Sequence, residues 1–420
     1  MIPAATSTLA VTTTALLSEA PGLEQILALA DPQNPLVWLR HGEGLIGSGE
    51  ALRLTFRGPD RFAEAAAAWR EVVEQAEIDD QVQVPGTGLV AFGAFAFAAG
   101  SAATSTLLVP EAIIGHRNGR TWLTRIKLRG EPSRWDSPAT APMPAPPGPA
   151  YPLEFIRGTL DAAGYARAVR SAVDRITAGD LGKVVLARDI FAPIPADADL
   201  RHPLLRLASR YPDTWTFALD GLIGSSPETL VRVDNKAVSA RVLAGSTGRR
   251  IDPEADRRAA EGLAGSVKNL EEHGFAVRSI LESLGRHTSA LTVSAEPFAL
   301  RLPNIWHLAS DLEGVLADGS SSLDLLGALH PTAAVAGTPT VAALALIDEL
   351  EPFDRGLYAG PVGWVDAQGD GEFAIALRCG RVADGRVTAY AGCGIVAGSE
   401  PQRELAETRL KFRPIVDAFA

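Results

Sequence analysis

Strand-like apolar runs in the second half of the chain come in adjacent pairs, and helical segments separate these pairs. Neighbouring strands with short connections pair antiparallel, whereas parallel strands need a long crossover. The pattern therefore predicts an α+β (α/β layered) fold, with antiparallel sheets flanked by helices rather than a parallel βαβ series. The predicted strands are Lys183–Arg188, Trp215–Leu219, Thr229–Val233, Gly360–Val365, Phe373–Arg378 and Val387–Ala391, and the predicted helices here are Asp256–Leu284, Thr340–Leu350 and Pro401–Ala418.

A proline-dense segment divides the sequence. Residues 131–152 (EPSRWDSPATAPMPAPPGPAYP) lack periodic apolar residues and are expected to run extended over the surface. This linker separates residues 1–130, with a predicted helix at Pro59–Ala76, from residues 153–420, which carry most of the candidate chemical groups. At roughly 150 residues per domain, the length of 420 suggests two or three domains.

The chain is acidic, with 50 Asp and Glu against 39 Lys and Arg and a formal net charge of -11. Non-specific binding to nucleic acid or to an anionic membrane is therefore not expected, and an anionic substrate needs a local basic pocket or a metal. The charge-free residues 81–110 are interrupted by Gly, Ser, Thr, Gln and Pro, so packed strands are expected there rather than a membrane span.

Two cysteines, Cys379 and Cys393, are too few for a disulfide scaffold or a zinc cluster, and both are expected to be small packed residues. A reducing, cytoplasmic setting is the default for such a chain. The first basic residue is Arg40, so residues 1–39 fit neither a secretory signal nor a transit peptide.

Two residues could carry acid–base chemistry. Lys183 begins an apolar strand, where lost solvation would lower the pKa of its amine and make it a base; the alternative is a strand-end lysine that reaches water. Glu228 lies in a turn before a strand and could act as a general acid or cap the turn. No nucleotide-binding glycine motif accompanies them.

Carboxylates on two predicted helices suggest a Mg²⁺ site. Glu404 and Glu407 are three residues apart and share one helix face, while Glu272 follows Lys268 by four residues on another helix. Mg²⁺ takes one or two carboxylates, waters and an anionic substrate. A solvated ion pair between Lys268 and Glu272 is the alternative.

Glycine-rich turns and two donor side chains complete the set of candidates. The turns at residues 244–249 and 391–395 permit close approach of the backbone to a ligand. Tyr358 and Arg378 can bind a carboxylate, since Tyr offers one hydroxyl donor and Arg a bidentate fork. Taken alone, each of these features also has a purely structural interpretation.

In this order the segments resemble the chorismate-utilising enzymes, a family that includes isochorismate, salicylate, anthranilate and aminodeoxychorismate synthases. The resemblance covers roughly Tyr165–Asp417, and residues 1–130 match only loosely, as the family's variable front part. The stretches that carry it are KVVLAR, SSPETL, LAGS, EEH, HPTAAVAGTP, FDRGLYAGPVGW, ALRC, AGCGIVAGSEP and ELAETRLK.

The resemblance implies one large domain over residues 1–420, with residues 131–152 as a surface excursion. It also implies chorismate as the small-molecule substrate, Mg²⁺ as the cofactor and a monomer as the default state. Asn269 stands where many relatives have an acidic residue, so a second carboxylate from that helix is missing.

The same resemblance implies roles for individual residues. Lys183 would activate water, and Glu228 would protonate the departing hydroxyl. Glu272 and Glu407 would hold the metal, with Glu404 beside or behind them. The residues implied to bind substrate or line its site are Gly245, Ser246, His307, Ala334, Tyr358, Arg378, Gly392 and Gly394.

Four positions favour isochorismate synthase within the family. Lys183 stands where ammonia-using anthranilate synthases typically have Gln, and Ala244 where aminodeoxychorismate synthases carry a nucleophilic Lys. Ser246 matches the residue found in siderophore-type isochorismate synthases, and Ala334 stands where salicylate synthases commonly have Thr.

The reaction implied by the resemblance is attack of water at C2 of chorismate with loss of the C4 hydroxyl, without an amidotransferase subunit. Salicylate synthase, which adds pyruvate elimination, is the alternative, and the downstream pathway, such as menaquinone or siderophore biosynthesis, stays open.

Overall fold

Strands from both halves of the chain build two β-sheets in the computed structural model, which describes residues 8–16, 22–135, 144 and 146–420. The strands are β1 (Leu9–Leu16), β2 (Leu36–Arg40), β3 (Glu43–Ser48), β4 (Leu52–Phe56), β5 (Glu77–Asp80), β6 (Val90–Ala94), β7 (Ser105–Val109), β8 (Ala112–Arg117), β9 (Arg120–Leu128), β10 (Ile156–Arg157), β11 (Lys183–Pro193), β12 (Trp215–Leu219), β13 (Leu222–Ser226), β14 (Thr229–Asp234), β15 (Ala237–Gly248), β16 (Thr288–Val293), β17 (Phe298–Arg301), β18 (Ile305–Leu316), β19 (Gly337–Thr338), β20 (Pro361–Asp366), β21 (Gly371–Ile375), β22 (Cys379–Ala383) and β23 (Arg386–Ile395).

The spatial order of the strands confirms the predicted antiparallel layers. The first sheet runs β10-β11-β23-β22-β13-β12-β2-β3-β8-β9-β1-β5, with β19 also paired to β11. The second runs β16-β18-β15-β14-β21-β20-β6-β7-β4, with β17 also paired to β18. Among the described strand pairs, only β1 and β5 run parallel.

Residues before and after the proline-dense segment share both sheets. Strand β2 pairs with β12 in the first sheet, and β6 pairs with β20 in the second. The chain is therefore one domain, as the resemblance implied, and not the two or three that its length suggested. Residues 136–143 and 145 of the predicted linker lie outside the described residues, while residues 146, 147, 149 and 150 are exposed.

The helices confirm most predicted bounds and correct one. The predicted helix Asp256–Leu284 is two helices, because Ser266 adopts an extended ψ of 116° and its Oγ accepts a hydrogen bond from the Asn269 N–H, which begins a new helix. The described helices are α1 (Leu23–Leu27), α2 (Arg61–Gln75), α3 (Ala162–Thr177), α4 (Arg201–Arg210), α5 (Pro253–Ala264), α6 (Val267–Leu284), α7 (Ser322–Leu329), α8 (Thr340–Leu350) and α9 (Pro401–Ala418).

Two strand ends differ from the prediction in a way that shapes the interior. The strand predicted for Phe373–Arg378 ends at Ile375, and Arg378 adopts a left-handed φ of 49°. This conformation is unfavourable for a residue with a Cβ and needs support from its surroundings. The strand predicted for Val387–Ala391 continues to Ile395 as β23.

The charge-free stretch at residues 81–110 forms β6 and β7, which are buried along their whole length. Their apolar side chains pack in one cluster with residues of both sheets. No helix in the described part of the chain is long and apolar enough to cross a membrane.

A single buried carboxylate joins the two sheets. Glu372 on β21 accepts hydrogen bonds from Trp38 Nε1 on β2 at 3.0 Å and from Arg117 Nη2 on β8 at 2.7 Å. Within its own sheet it accepts from Trp364 Nε1 at 3.3 Å and pairs with Arg232 at 3.3 Å. Both carboxylate oxygens are therefore occupied, which offsets the unfavourable burial of the charge.

We predict that Glu372→Gln lowers the free energy of unfolding by about 3 kcal/mol, because it removes a buried charge that pairs with the partly buried guanidinium of Arg117. Urea unfolding followed by tryptophan fluorescence measures the change. Glu254→Gln is the matched control, since Glu254 pairs with Arg257 on the exposed face of α5 and its loss should leave the midpoint unchanged. Equal midpoints for the two variants would contradict this account of Glu372.

Candidate functional site

One cleft between the two sheets collects most of the residues that the sequence singled out. It encloses about 530 Å³, counted with its opening. The predicted residues that line it are Glu228, Gly245, Ser246, Glu272, His307, Ala334, Tyr358, Arg378, Gly392 and Gly394. Lys183, Glu404 and Glu407, which the sequence also singled out, are not among the residues that line it.

Lys183 begins β11 and is completely buried. Its Nζ lies 3.5 Å from Glu272 Oε1 and has no hydrogen-bond partner within the described residues. Burial lowers the pKa of the amine, and the charges of Glu272 and Glu228 oppose this effect. The alternative of a strand-end lysine reaching water is therefore wrong, and the amine has the surroundings of a base.

Glu228 lies in the turn between β13 and β14 and is 4% exposed. Its Oε1 accepts a hydrogen bond from the Leu243 N–H at 3.4 Å. Burial raises the pKa of the carboxyl to about 7, although this bond and the charges of Arg378 and Lys183 lower it. A carboxyl with such a pKa holds its proton near neutral pH and can donate it.

A bulge in β15 positions the next group of side chains. The pairing of β15 with β18 shifts register between Leu243 and Ser246, and Gly245 within the bulge has a φ of 84°. This left-handed conformation suits glycine, and it brings Ser246 directly opposite His307. The glycine that the sequence predicted to permit close approach thus sets the register of the site.

Ser246, His307 and Arg378 form a chain of hydrogen bonds. Ser246 Oγ lies 2.9 Å from His307 Nδ1, and Arg378 Nη2 donates to His307 Nε2 at 2.9 Å. Since Nε2 accepts, the ring is neutral and carries its proton on Nδ1. Burial and the charge of Arg378 both lower the pKa of His307 well below its ordinary value, which agrees with this tautomer. The histidine therefore holds the strained Arg378 in place.

Tyr358 and Ala334 form the opposite wall. The ring of Tyr358 stacks on Tyr390, with centroids 5.2 Å apart and planes at 17°. Arg355 fixes this wall, because its guanidinium donates to Glu351 at 2.6 Å and to the carbonyl of Val335, next to Ala334, at 2.8 Å. Arg355 itself was not among the predicted site residues.

Two glycines of β23 leave room for the charged groups. A Cβ at Gly394 would overlap Glu272 Oε1 and lie 2.9 Å from Lys183 Cε. A Cβ at Gly392 would lie 2.8 Å from the carbonyl oxygen of Leu186 on the neighbouring strand. The sequence predicted close approach of a ligand at these glycines, and the structure adds close approach of side chains at Gly394 and of the neighbouring backbone at Gly392.

Two of the three carboxylates proposed for a metal, Glu404 and Glu407, lie close together on α9, and Glu272 on α6 is not part of their group among the described residues. Ligand atoms of Glu404, Glu407 and Cys393 lie within 4.8 Å of one another. The ammonium of Lys268 lies 2.5 Å from Glu404, and the charges of Glu404, Glu272 and Glu407 all raise its pKa against the effect of burial. Lys268 therefore pairs with Glu404 rather than with Glu272, which corrects the helical ion pair considered above.

This donor set fits a small hard cation. Glu404 and Glu407 supply oxygen ligands of the kind that Mg²⁺ prefers, and their charges, together with that of Glu272, already act on one positive charge, the ammonium of Lys268. Burial raises the pKa of the Cys393 thiol well above its ordinary value, so it stays protonated and does not compete as a thiolate ligand.

Sequence reasoning missed Lys411, which lines the cleft. Its Nζ lies 2.7 Å from Glu407 Oε1 and donates to the carbonyl of Gly392 at 2.9 Å. Burial lowers the pKa of Lys411, but the charge of Glu407 outweighs this effect and raises the pKa above its ordinary value. The spacing of four residues from Glu407 on α9 was the available signal.

The layered sheets of one domain thus enclose a cleft with the buried carboxyl of Glu228 in its lining, and the buried amine of Lys183 lies 3.5 Å from Glu272 of the same lining. The model of the chorismate binding enzyme family matches residues 29–420, and the chain therefore belongs to that family.

Named relatives agree with this assignment. Isochorismate synthase DhbC of Bacillus subtilis is 40% identical over 271 residues, which cover 61% of this chain and 67% of the relative. The menaquinone-specific isochorismate synthase MenF of Escherichia coli aligns in structure with a TM-score of 0.79 and 27% identity, over 98% of this chain and 95% of that one. A putative 2,3-dihydroxybenzoate-specific isochorismate synthase, DhbC from Bacillus anthracis, has a TM-score of 0.77 and 30% identity over 94% of this chain and 99% of that one.

We predict that His307 is neutral near neutral pH, protonated on Nδ1 alone, because burial lowers its pKa and Arg378 donates to its other nitrogen. Nitrogen-15 NMR of labelled protein reports the tautomer directly. Arg378→Met removes the positive charge that lowers the pKa of His307, so this pKa should rise in the variant. A charged ring in the unaltered protein, or a proton on Nε2, would contradict the hydrogen-bond chain.

Proposed function

We propose that the protein is an isochorismate synthase, which isomerises chorismate to isochorismate. The observation that carries the proposal is the buried acid of Glu228 in the lining of one cleft, with the buried amine of Lys183 3.5 Å from Glu272 of the same lining, in a chain of the chorismate binding family. Base and acid are both needed, because water must lose a proton to attack and hydroxide is a poor leaving group.

The two groups divide the proton transfers between them. Lys183 accepts a proton from the water that attacks C2 of the ring, and the ring double bonds shift. Glu228 donates its proton to the C4 hydroxyl, which departs as water. One water enters and one leaves, so the reaction is an isomerisation, and exchange with solvent restores both groups.

Donor groups on the opposite wall orient the substrate. Tyr358 and Arg378 bind the enolpyruvyl carboxylate, and His307 holds Arg378 in its strained conformation through their 2.9 Å hydrogen bond. Ala244 has no amine with which to form a covalent intermediate, and Ala334 has no hydroxyl, which favours release of isochorismate over further loss of pyruvate.

Mg²⁺ is the proposed cofactor, held by Glu272 and Glu407 with Glu404 beside them. When bound, it supplies positive charge for the ring carboxylate of chorismate and orients the ring. The carboxylates themselves position Lys183 and Lys411, which pair with Glu272 and Glu407 respectively.

The state of the protein in the cell follows from the same proposal. A water-using enzyme needs no source of ammonia, so we expect no amidotransferase subunit. We also propose that the protein works as a monomer in the cytoplasm, where its two buried cysteines remain free thiols.

We predict that the purified protein converts chorismate to isochorismate in the presence of Mg²⁺, and that Lys183→Met slows turnover at least about a hundredfold by removing the base. Chromatography resolves the product. Lys236→Met, at an exposed lysine, is the matched control and should keep full activity. Equal activity of the Lys183 and Lys236 variants would contradict the proposed base, and stoichiometric pyruvate would indicate salicylate synthase.

Turnover should fall as pH rises through about 7, because Glu228 then loses the proton it donates. The charged groups that act on this carboxyl are Arg378, Lys183 and Lys411, and each lowers its pKa. Glu228→Gln should reduce kcat about a hundredfold or more and abolish the alkaline limb of the kcat profile. An unchanged limb in this variant would show that another group is the acid.

Chelation should abolish turnover, and added Mg²⁺ should restore it. Glu407→Gln removes one proposed ligand and should raise the Mg²⁺ concentration needed for half-maximal activity at least about tenfold. Glu400→Gln, at an exposed residue about two turns earlier at the start of α9, serves as the control. Full activity after complete chelation would contradict the metal site.

A further inference from the structure

A second cavity adjoins the cleft and shares part of its wall. It encloses about 990 Å³ with its opening, and both Arg355 and Tyr358 line the two spaces. Its other walls come from β4, the segment leading into β7, the β12–β13 turn, β22 and β23. The proposed reaction makes no use of this space.

Three arginines line the second cavity, and two of them are fully engaged by the protein. Arg53 donates to Glu50 at 2.8 Å and lies 3.3 Å from Asp220. It therefore also neutralises Asp220, the acidic residue that lines this cavity. Arg355 is engaged by Glu351 at 2.6 Å and by backbone carbonyls. Neither guanidinium is available to a ligand.

Arg381 on β22 is different. Its Nη1 is buried and has no hydrogen-bond partner anywhere in the described part of the chain. A buried guanidinium N–H without an acceptor is unfavourable, and a carboxylate is the acceptor whose geometry matches it best. In a chain of net charge -11, this unpaired cation marks the cavity as a place for an anion.

Part of the remaining lining is apolar. Tyr390, whose ring stacks on Tyr358, lines the cavity together with Leu222 and Leu357, beside the hydroxyl-bearing Thr55, Thr104 and Thr106. Such walls favour a planar ring over a compact, strongly hydrated anion such as phosphate. We propose that the second cavity binds a small aromatic carboxylate, with its carboxylate on Arg381 and its ring against Tyr390.

Occupancy of this cavity should influence the cleft through Tyr358. A ring against Tyr390 disturbs the stack that orients Tyr358, so the bound aromatic carboxylate raises the KM for chorismate and leaves kcat unchanged. This consequence rests on the proposed function, whereas binding of the aromatic carboxylate does not.

Benzoate is the probe for the binding experiment. Titration calorimetry of the full chain without substrate should detect one site, and Arg381→Met should weaken the affinity for benzoate at least about tenfold. Ala103→Phe, which fills the cavity without removing a charge, should weaken it as well. Arg378→Met is the matched control, because it removes an arginine of the chorismate cleft and should leave the affinity unchanged.

Several results would overturn the inference. One is the absence of a heat of binding when benzoate is titrated into the protein. Another is unchanged affinity for benzoate in the folded Arg381 and Ala103 variants. The third is loss of binding in the Arg378 variant alone, which would place benzoate in the chorismate cleft. Thermal unfolding establishes that each variant is folded. A protein that binds benzoate through Arg381 but makes no isochorismate would contradict the proposed function and leave this inference standing.

Discussion

Burial of charge at the cleft is the constraint on which the rest of the structure depends. Lys183 is completely buried with Glu272 3.5 Å away, and Glu228 is 4% exposed. An ion removed from water is unfavourable unless a partner lies close by, so β11, the turn before β14 and helix α6 must stay in register. The same burial lowers the pKa of the amine and raises that of the acid to about 7, which suits both groups to proton transfer near neutral pH.

Small residues and irregular backbone make this arrangement possible. Gly394 leaves space for Glu272 and Lys183, and the bulge at Gly245 sets Ser246 opposite His307. The hydrogen-bond chain that follows holds Arg378 at a left-handed φ, which fixes the position of its guanidinium in the cleft. The cleft therefore depends on positions where a methyl group or a regular strand would close it.

Sequence patterns were enough to predict the antiparallel layers and helices α8 and α9, and the family resemblance pointed to many residues that line the cleft, although not to Arg355 or Lys411. They could not predict contacts between distant positions, because no local pattern records them. The bond between Trp38 and Glu372 joins residues 334 positions apart, and that between His307 and Arg378 spans 71. The break before α6 was missed for a different reason: the apolar periodicity continues across Ser266, and only the cap marks the boundary.

The central claim is that a buried lysine activates water for attack on the ring. The origin of the new hydroxyl oxygen tests this claim most directly. The reaction is run in water enriched in ¹⁸O, and isochorismate formed at low conversion is analysed by mass spectrometry. The account predicts one ¹⁸O in each product molecule, at C2. Product without the label would show that the original C4 hydroxyl had migrated, and it would contradict the account.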